Sequence, residues 1–264
     1  MPGEYIMYPV IIDTHAYLSR WPFRRLHGDE PAELVARMRE HGAAQVWVGS
    51  FDGLLHKDVS AVNARLVNEC RAHGQGLLEP FGTVNPVLPD WQEEVRRCRE
   101  VHRMPGIRLH PNYHGYTLAD PRFAETLRLA ARAGLIVQLV VTMEDERTQH
   151  PLLQVPSVDL EPLAGIVSTI PSLRLIVLNQ RHDAPVKKIA AAGEVYFDFA
   201  MVERLRGVAT LARQISPERV VLGSHFPLFY VESAVLKMRE AGLREEDFRA
   251  ICEGNARRLR SQIR

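Results

Sequence analysis

The sequence predicts an α/β protein of the (β/α)8 TIM-barrel class, and three observations lead there. Eight short apolar runs alternate with longer amphipathic segments from one end of the chain to the other. Each run is apolar nearly throughout, as strands covered on both faces must be. The 264 residues match the roughly 250 that one such barrel takes. No glycine-rich turn follows the first run, which continues as DTHAYLSRWPF (13–23), where an open doubly wound sheet would place one.

The strands are expected at 9–15 (PVIIDTH), 44–49 (AQVWVG), 78–85 (LEPFGTVN), 106–110 (GIRLH), 135–142 (LIVQLVVT), 173–179 (LRLIVLN), 194–199 (EVYFDF) and 219–224 (RVVLGS). Helices are expected between them. The first, 31–41, opens on a proline and stops before Gly42, and the second, 58–73, stops before Gly74. Others follow at 89–102, 120–133, 160–170, 184–192, 201–214 and 230–241, with a last one at 245–262. Repeated strand–helix units require parallel strands and right-handed crossovers. No linker or low-complexity tract divides the chain, so residues 1–264 are read as one domain. The stretch 143–159 is long for a strand-to-helix connection and is placed to form part of a lid.

Composition removes several functions. A net charge of +1 offers no electrostatic case for nucleic acid or an anionic membrane. No apolar run approaches the roughly 20 residues of a membrane span, and MPGEYIMYPV shows no export signal. Cys70, Cys98 and Cys252 have no metal-site spacing and read as reduced structural thiols of a cytoplasmic protein.

In a barrel, alternate residues point inward and those at the carboxyl ends line the site. The first strand then presents Ile11, Asp13, His15 and Tyr17 on one face. The others offer Ser50, Asn85, Arg108 with His110, Gln138 with Thr142, Asn179 with Arg181, Asp198 and His225. So many polar strand ends indicate a solvent-filled mouth, with a structural network closing the barrel as the alternative. The first and eighth strands are neighbours, which brings His15 and His225 within about 6 Å. Two imidazoles at that spacing are candidate metal ligands or an acid–base pair. Arg108 is placed either to grip a substrate carboxylate or to ion-pair with Asp198 or Asp13. His110 and His114 are candidate acid–base or binding groups, or hydrogen-bonded fixtures. Tyr17, Asn179 and Gln138 complete the substrate-facing set.

IIDTHAYL, GIRLHP, GLIVQLVVTMEDERTQHP, RLIVLN, RVVLGSHFP and GNARRL, spread from residue 10 to 259, resemble the amidohydrolase superfamily. The likeness is to its amidohydrolase-related branch, which includes aminocarboxymuconate-semialdehyde decarboxylase. The resemblance implies the same distorted barrel, a small-molecule substrate, one divalent metal with zinc foremost, and, by analogy, a homodimer. The family's metal site implies two histidines in the first strand, one ending the fifth, often one ending the sixth, and an aspartate ending the eighth. Here those positions hold His15 and Tyr17, Val140, Asn179 and His225. Three readings stay open. One is a hydrolase or decarboxylase with a rearranged metal site at His15 and His225. The second is a metal-free, lactonase-like hydrolase with His225 as base. The third is a ligand-binding pseudoenzyme.

Overall fold

A computed structural model describes residues 10–181 and 184–263. The N-terminal segment searched for an export signal, and the first residue of the expected first strand, lie outside the described residues. Seven parallel strands form one sheet in sequential order: β1 Ile11–Leu18, β2 Ala43–Ser50, β3 Leu78–Thr83, β4 Gly106–Leu109, β5 Ile136–Val140, β6 Arg174–Leu178 and β7 Glu194–Phe197. The helices are α1 Pro31–Glu40, α2 Val59–His73, α3 Trp91–Glu100, α4 Pro121–Arg132, α5 Leu163–Val167, α6 Val186–Ala191, α7 Gly207–Ile215, α8 Val231–Glu240, α9 Glu245–Arg249 and α10 Asn255–Ser261. Local chemistry sets several starts. Pro31 and Pro121 occupy first turns, and the Asp58 and Asp120 carboxylates cap α2 and α4 by accepting from Ala61 N and Arg122 N. No helix among the described residues is long and apolar enough to cross a membrane.

The eighth expected strand departs from the sequence reading. Residues 220–226 form no regular strand and make only isolated bridges, Phe197 with Val220 and Ala16 with Phe226. They still bond to both edges of the curled sheet. Val221 N donates to Phe197 O on the β7 side, and Thr14 N, His225 N and Tyr17 N exchange bonds with Leu222 O, His15 O and Phe226 O on the β1 side. A regular ladder fails because the Asp13 side chain intrudes into it. Its Oδ1 accepts from both His15 N and Ser224 N, 3.0 Å each, and Ser224 Oγ donates to its Oδ2.

That intrusion also shifts the register of β1 between Asp13 and Ala16. The expected single face of Ile11, Asp13, His15 and Tyr17 is therefore corrected. Ile11 packs outward with Leu34, Val35 and Met38 of α1, whereas Ile12 joins Tyr17, Trp47, Phe81, Ile136, Ile176, Tyr196 and Val221 inside the ring. A bulge moves every later side chain to the opposite face, and strict alternation cannot foresee it. The expected long final helix is also divided, by a π turn at Ala250–Gly254 between α9 and α10. The expected seventh helix begins later than the pattern suggested, at Gly207.

Candidate active site

Two buried polar groups fill the inside of the sheet toward its carboxyl ends. The lower centres on Arg108 in β4, which is wholly buried. Its Nε donates to Gln138 Oε1 at 2.7 Å, Nη1 to Ala16 O at 2.8 Å and Nη2 to Trp47 O at 3.2 Å. Its guanidinium carbon lies 4.5 Å from the centre of the Tyr17 ring. Gln138 Nε2 in turn donates to Thr14 O at 2.7 Å. Glycine makes the space: a Cβ on Gly49 would stand 2.7 Å from Arg108 Nη1. The ion pair with Asp198 or Asp13, one of the two expectations for Arg108, is not formed. A guanidinium already aimed at three protein oxygens ties β1, β2, β4 and β5 together instead.

The upper group is a row. Asp198 follows β7 and accepts from Asn179 N at 2.8 Å through Oδ1. Its Oδ2 lies 2.7 Å from His15 Nδ1, His15 Nε2 lies 3.0 Å from His225 Nδ1, and His225 Nε2 lies 2.7 Å from Met143 O. The two imidazole centroids are 4.5 Å apart, and all three side chains are without exposed surface. Gly223 permits this approach, since a Cβ there would meet Asp198 Oδ2 at 2.7 Å and His15 Cβ at 3.0 Å. Asn179 and His225 both adopt left-handed backbone, φ 56° and 60°. Such conformations in residues other than glycine cluster at functional sites.

The protons of the row follow from its far end. A carbonyl only accepts, so His225 Nε2 carries hydrogen and, in the neutral ring, Nδ1 is a bare acceptor. His15 Nε2–H then donates to it. Burial holds both imidazoles well below their ordinary range, with the Arg108 charge adding to this at His15 and His15 adding to it at His225. A neutral His15 leaves Nδ1 bare, so the proton between it and Asp198 rests on the carboxyl. Burial pushes the Asp198 carboxyl up to about 7, which agrees with that placement.

The remaining candidates stand around these groups. Tyr17 Oη lies 3.0 Å from His110 Nε2 and 3.4 Å from Met143 Sδ, and its ring stacks on Phe51. His114 Nε2 lies 2.9 Å from Gly53 O, and burial lowers its ring to about 4. It sits in a turn, with its other ring nitrogen, Nδ1, buried without a partner. Asn179 Nδ2 donates to Thr142 O at 2.8 Å, whereas Asn179 Oδ1 and His110 Nδ1 are buried without a partner. Met143 and Phe229 went unrecognised in the sequence. Met143 contributes its backbone carbonyl, which no side-chain pattern marks, and Phe229 stands edge-on to His225, centroids 5.2 Å apart.

These donors do not suit a divalent metal. All four ring nitrogens of His15 and His225 have protein partners, and Val140 at the end of β5 supplies no donor atom. Among the described residues no three His, Cys, Asp or Glu side chains converge as a metal-holding group. His225 is equally unsuited to act as a base toward water, because neither nitrogen presents a free lone pair.

Residues 12–259 match a family model described as amidohydrolase. Among solved structures the chain is similar to a 2,6-dihydroxybenzoate decarboxylase from Rhizobium, with 14% identity, a TM-score of 0.73, and 96% of this chain and 98% of that one covered. It is also similar to a 5-carboxyvanillate decarboxylase from Sphingomonas paucimobilis, with 15% identity, a TM-score of 0.73, and 96% and 99% covered. A third, the 5-carboxyvanillate decarboxylase from Novosphingobium aromaticivorans complexed with manganese and 4-hydroxy-3-methoxy-5-nitrobenzoic acid, gives 13% identity, a TM-score of 0.73, and 96% of each chain covered. At such identities the likeness is one of fold. No curated protein matches the chain.

Proposed function

The chain belongs to the amidohydrolase family, and from that premise we propose that it decarboxylates a small organic acid by delivering a proton along the Asp198–His15–His225 row. The observation that carries this reading is the direction of the row, which ends in an N–H held at 2.7 Å by Met143 O. Hydrolysis needs a lone pair aimed at water, and the row offers none. Decarboxylation needs a proton for the carbon that loses its carboxylate, and the row holds one in reserve.

The step balances within the chain. Met143 O yields Nε2 to the substrate; the carbon–carbon bond to the carboxylate breaks, CO2 leaves, and the electron pair left on carbon takes the His225 Nε2 proton. His225 Nδ1 takes the His15 Nε2 proton as His15 Nδ1 takes that of Asp198. Arg108, Gln138 and Tyr17 act as the rigid floor beneath, and His110 steadies Tyr17. No step passes through zinc or another metal, because His15 and His225 are occupied with each other. The fold that goes with this reading is a closed eight-stranded barrel with 220–226 as eighth strand and residues 1–264 as one catalytic unit. Three buried, unpaired thiols agree with a reducing cytoplasm.

The test is turnover of a panel of hydroxylated benzoic acids, including 2,6-dihydroxybenzoate and 5-carboxyvanillate, in D2O. The expected result is CO2 release with one deuterium on the vacated carbon, abolished by His225→Asn. Release that survives this substitution, or activity confined to lactones and esters, overturns the reading.

A further inference from the structure

A small cleft of about 10 Å3 lies at the ends of β4 and β5, beside residues 155–158. That is room for one oxygen-sized group. The cleft adjoins the row, because Met143, whose carbonyl holds His225 Nε2 at 2.7 Å, lines it together with His110. Val140, Val141, Val155 and Val158 supply much of the remaining wall, and no Asp, Glu, Lys or Arg among the described residues lines it. Val140 ends β5 at the position where the family resemblance implies a metal-holding histidine, and here it is apolar wall.

His110 brings a directed donor to these apolar surroundings. Tyr17 Oη lies 3.0 Å from its Nε2 and 3.4 Å from Met143 Sδ. A thioether sulfur is a weak acceptor and a bare imidazole nitrogen a good one, so the phenol hydrogen goes to Nε2. Burial holds the His110 ring well below its ordinary range, with His114 adding to this, so the ring is neutral. A neutral ring that accepts at Nε2 carries its hydrogen on Nδ1. That N–H is buried with no acceptor among the described residues. A buried donor left unanswered is costly, and an oxygen in the cleft answers it.

We propose that the cleft receives the carboxylate that leaves, one of its oxygens accepting from His110 Nδ1–H. This rests on the proton-delivery reading and adds the seat of the reacting group. In water a carboxylate is surrounded by hydrogen-bond donors. Here it keeps one, from a ring without charge, and otherwise meets valine side chains. Taking an ionised carboxylate out of water is costly, whereas CO2 carries no charge. As the carbon–carbon bond breaks, its electron pair passes to the carbon that takes the His225 Nε2 proton, and the carboxylate gives up its charge. The apolar wall therefore favours the breaking bond over the bound acid. The His110 proton stays on Nδ1 throughout. His110 fixes where the carboxylate sits, and Val140 withholds the solvation that would keep it charged.

Nitrogen NMR of the histidine rings in the full chain, with formate as the probe, tests it without requiring turnover. His110 is expected to show a protonated Nδ1 and a bare Nε2, and formate to shift the Nδ1 resonance. His110→Phe, which keeps a ring and removes the donor, should weaken formate about tenfold. Val140→Thr, which adds a hydroxyl to the wall, should tighten formate about threefold to tenfold. The same substitution should lower both KM and kcat for CO2 loss, and it carries the test where His110→Phe does not fold. A bare Nδ1 on His110, or formate affinity that neither substitution changes, overturns the proposal. A resonance that formate leaves in place marks a bound water only and overturns it too. Formate binding that follows both substitutions, with no acid losing CO2, upholds the cleft and removes the decarboxylation. CO2 loss abolished by His225→Asn but untouched by Val140→Thr does the reverse.

Discussion

Arg108 and the Asp198–His15–His225 row share one interior and are equally shut off from water, but their hydrogen bonds are of different kinds. Around Arg108 every bond has a fixed direction, since a guanidinium only donates and Ala16 O and Trp47 O only accept. Along the row the ring nitrogens can in principle donate or accept, and only Met143 O at the far end sets their direction. A buried polar group whose bonds can run only one way is scaffold. One whose direction is set at a single end can pass a proton along once that end is released. The difference shows that burial alone does not identify a working residue.

The largest effect is expected from breaking the fixed set. Arg108→Met should cost about 3–5 kcal/mol, measured by urea unfolding, because it strands three buried oxygens. A loss below about 1 kcal/mol would erase the distinction between the two regions. In the row the damage should fall on rate. His225→Asn should lower turnover roughly 10²- to 10⁴-fold, with unfolding shifted far less than for Arg108→Met.

Titration sharpens the contrast. Burial raises Asp198 from 3.8 to about 7 in the folded chain, so between those values the folded state binds the extra proton and stability falls as pH rises. Relative to Asp198→Asn, the unmodified chain should lose stability from about pH 4 to about pH 7 and then level off. Turnover should decline as pH passes about 7, when Asp198 gives up its proton. A stability difference independent of pH would show that Asp198 is ionised throughout. Smaller still, Tyr17→Phe leaves His110 Nε2 without its partner and should cost about 1–2 kcal/mol. Least of all, added manganese or zinc should leave the melting temperature and turnover unchanged. A stoichiometric metal that raises both would mean the row rearranges to hold it.

Much of this was legible along the chain. The seven strands of the sheet lie where apolar runs were read, because a strand covered on both faces has few places for polar residues. The pairing of His15 with His225 was legible too, since the first and last strands meet there, although a bulge and not strict alternation sets the face of His15. The role of Asp198 was only half legible. Alternation marked it as inward, but charge pointed to Arg108 as its partner, whereas the structure gives it His15. Phe229 lies in a loop, where no periodicity points to a destination.

What the sequence by itself determined is the order of strands and helices, the apolar interior and the set of polar residues at the strand ends, because burial and alternation are written in neighbouring residues. Beyond the meeting of His15 with His225, only the tertiary structure decided which of those polar residues face each other. Asp13 enters the backbone ladder and shifts the parity of β1, Gly49 and Gly223 admit close approaches, and Met143 O fixes the tautomer of His225. Each depends on contacts between residues scores of positions apart, and directional hydrogen bonds, unlike apolar burial, are settled only when both partners are in place.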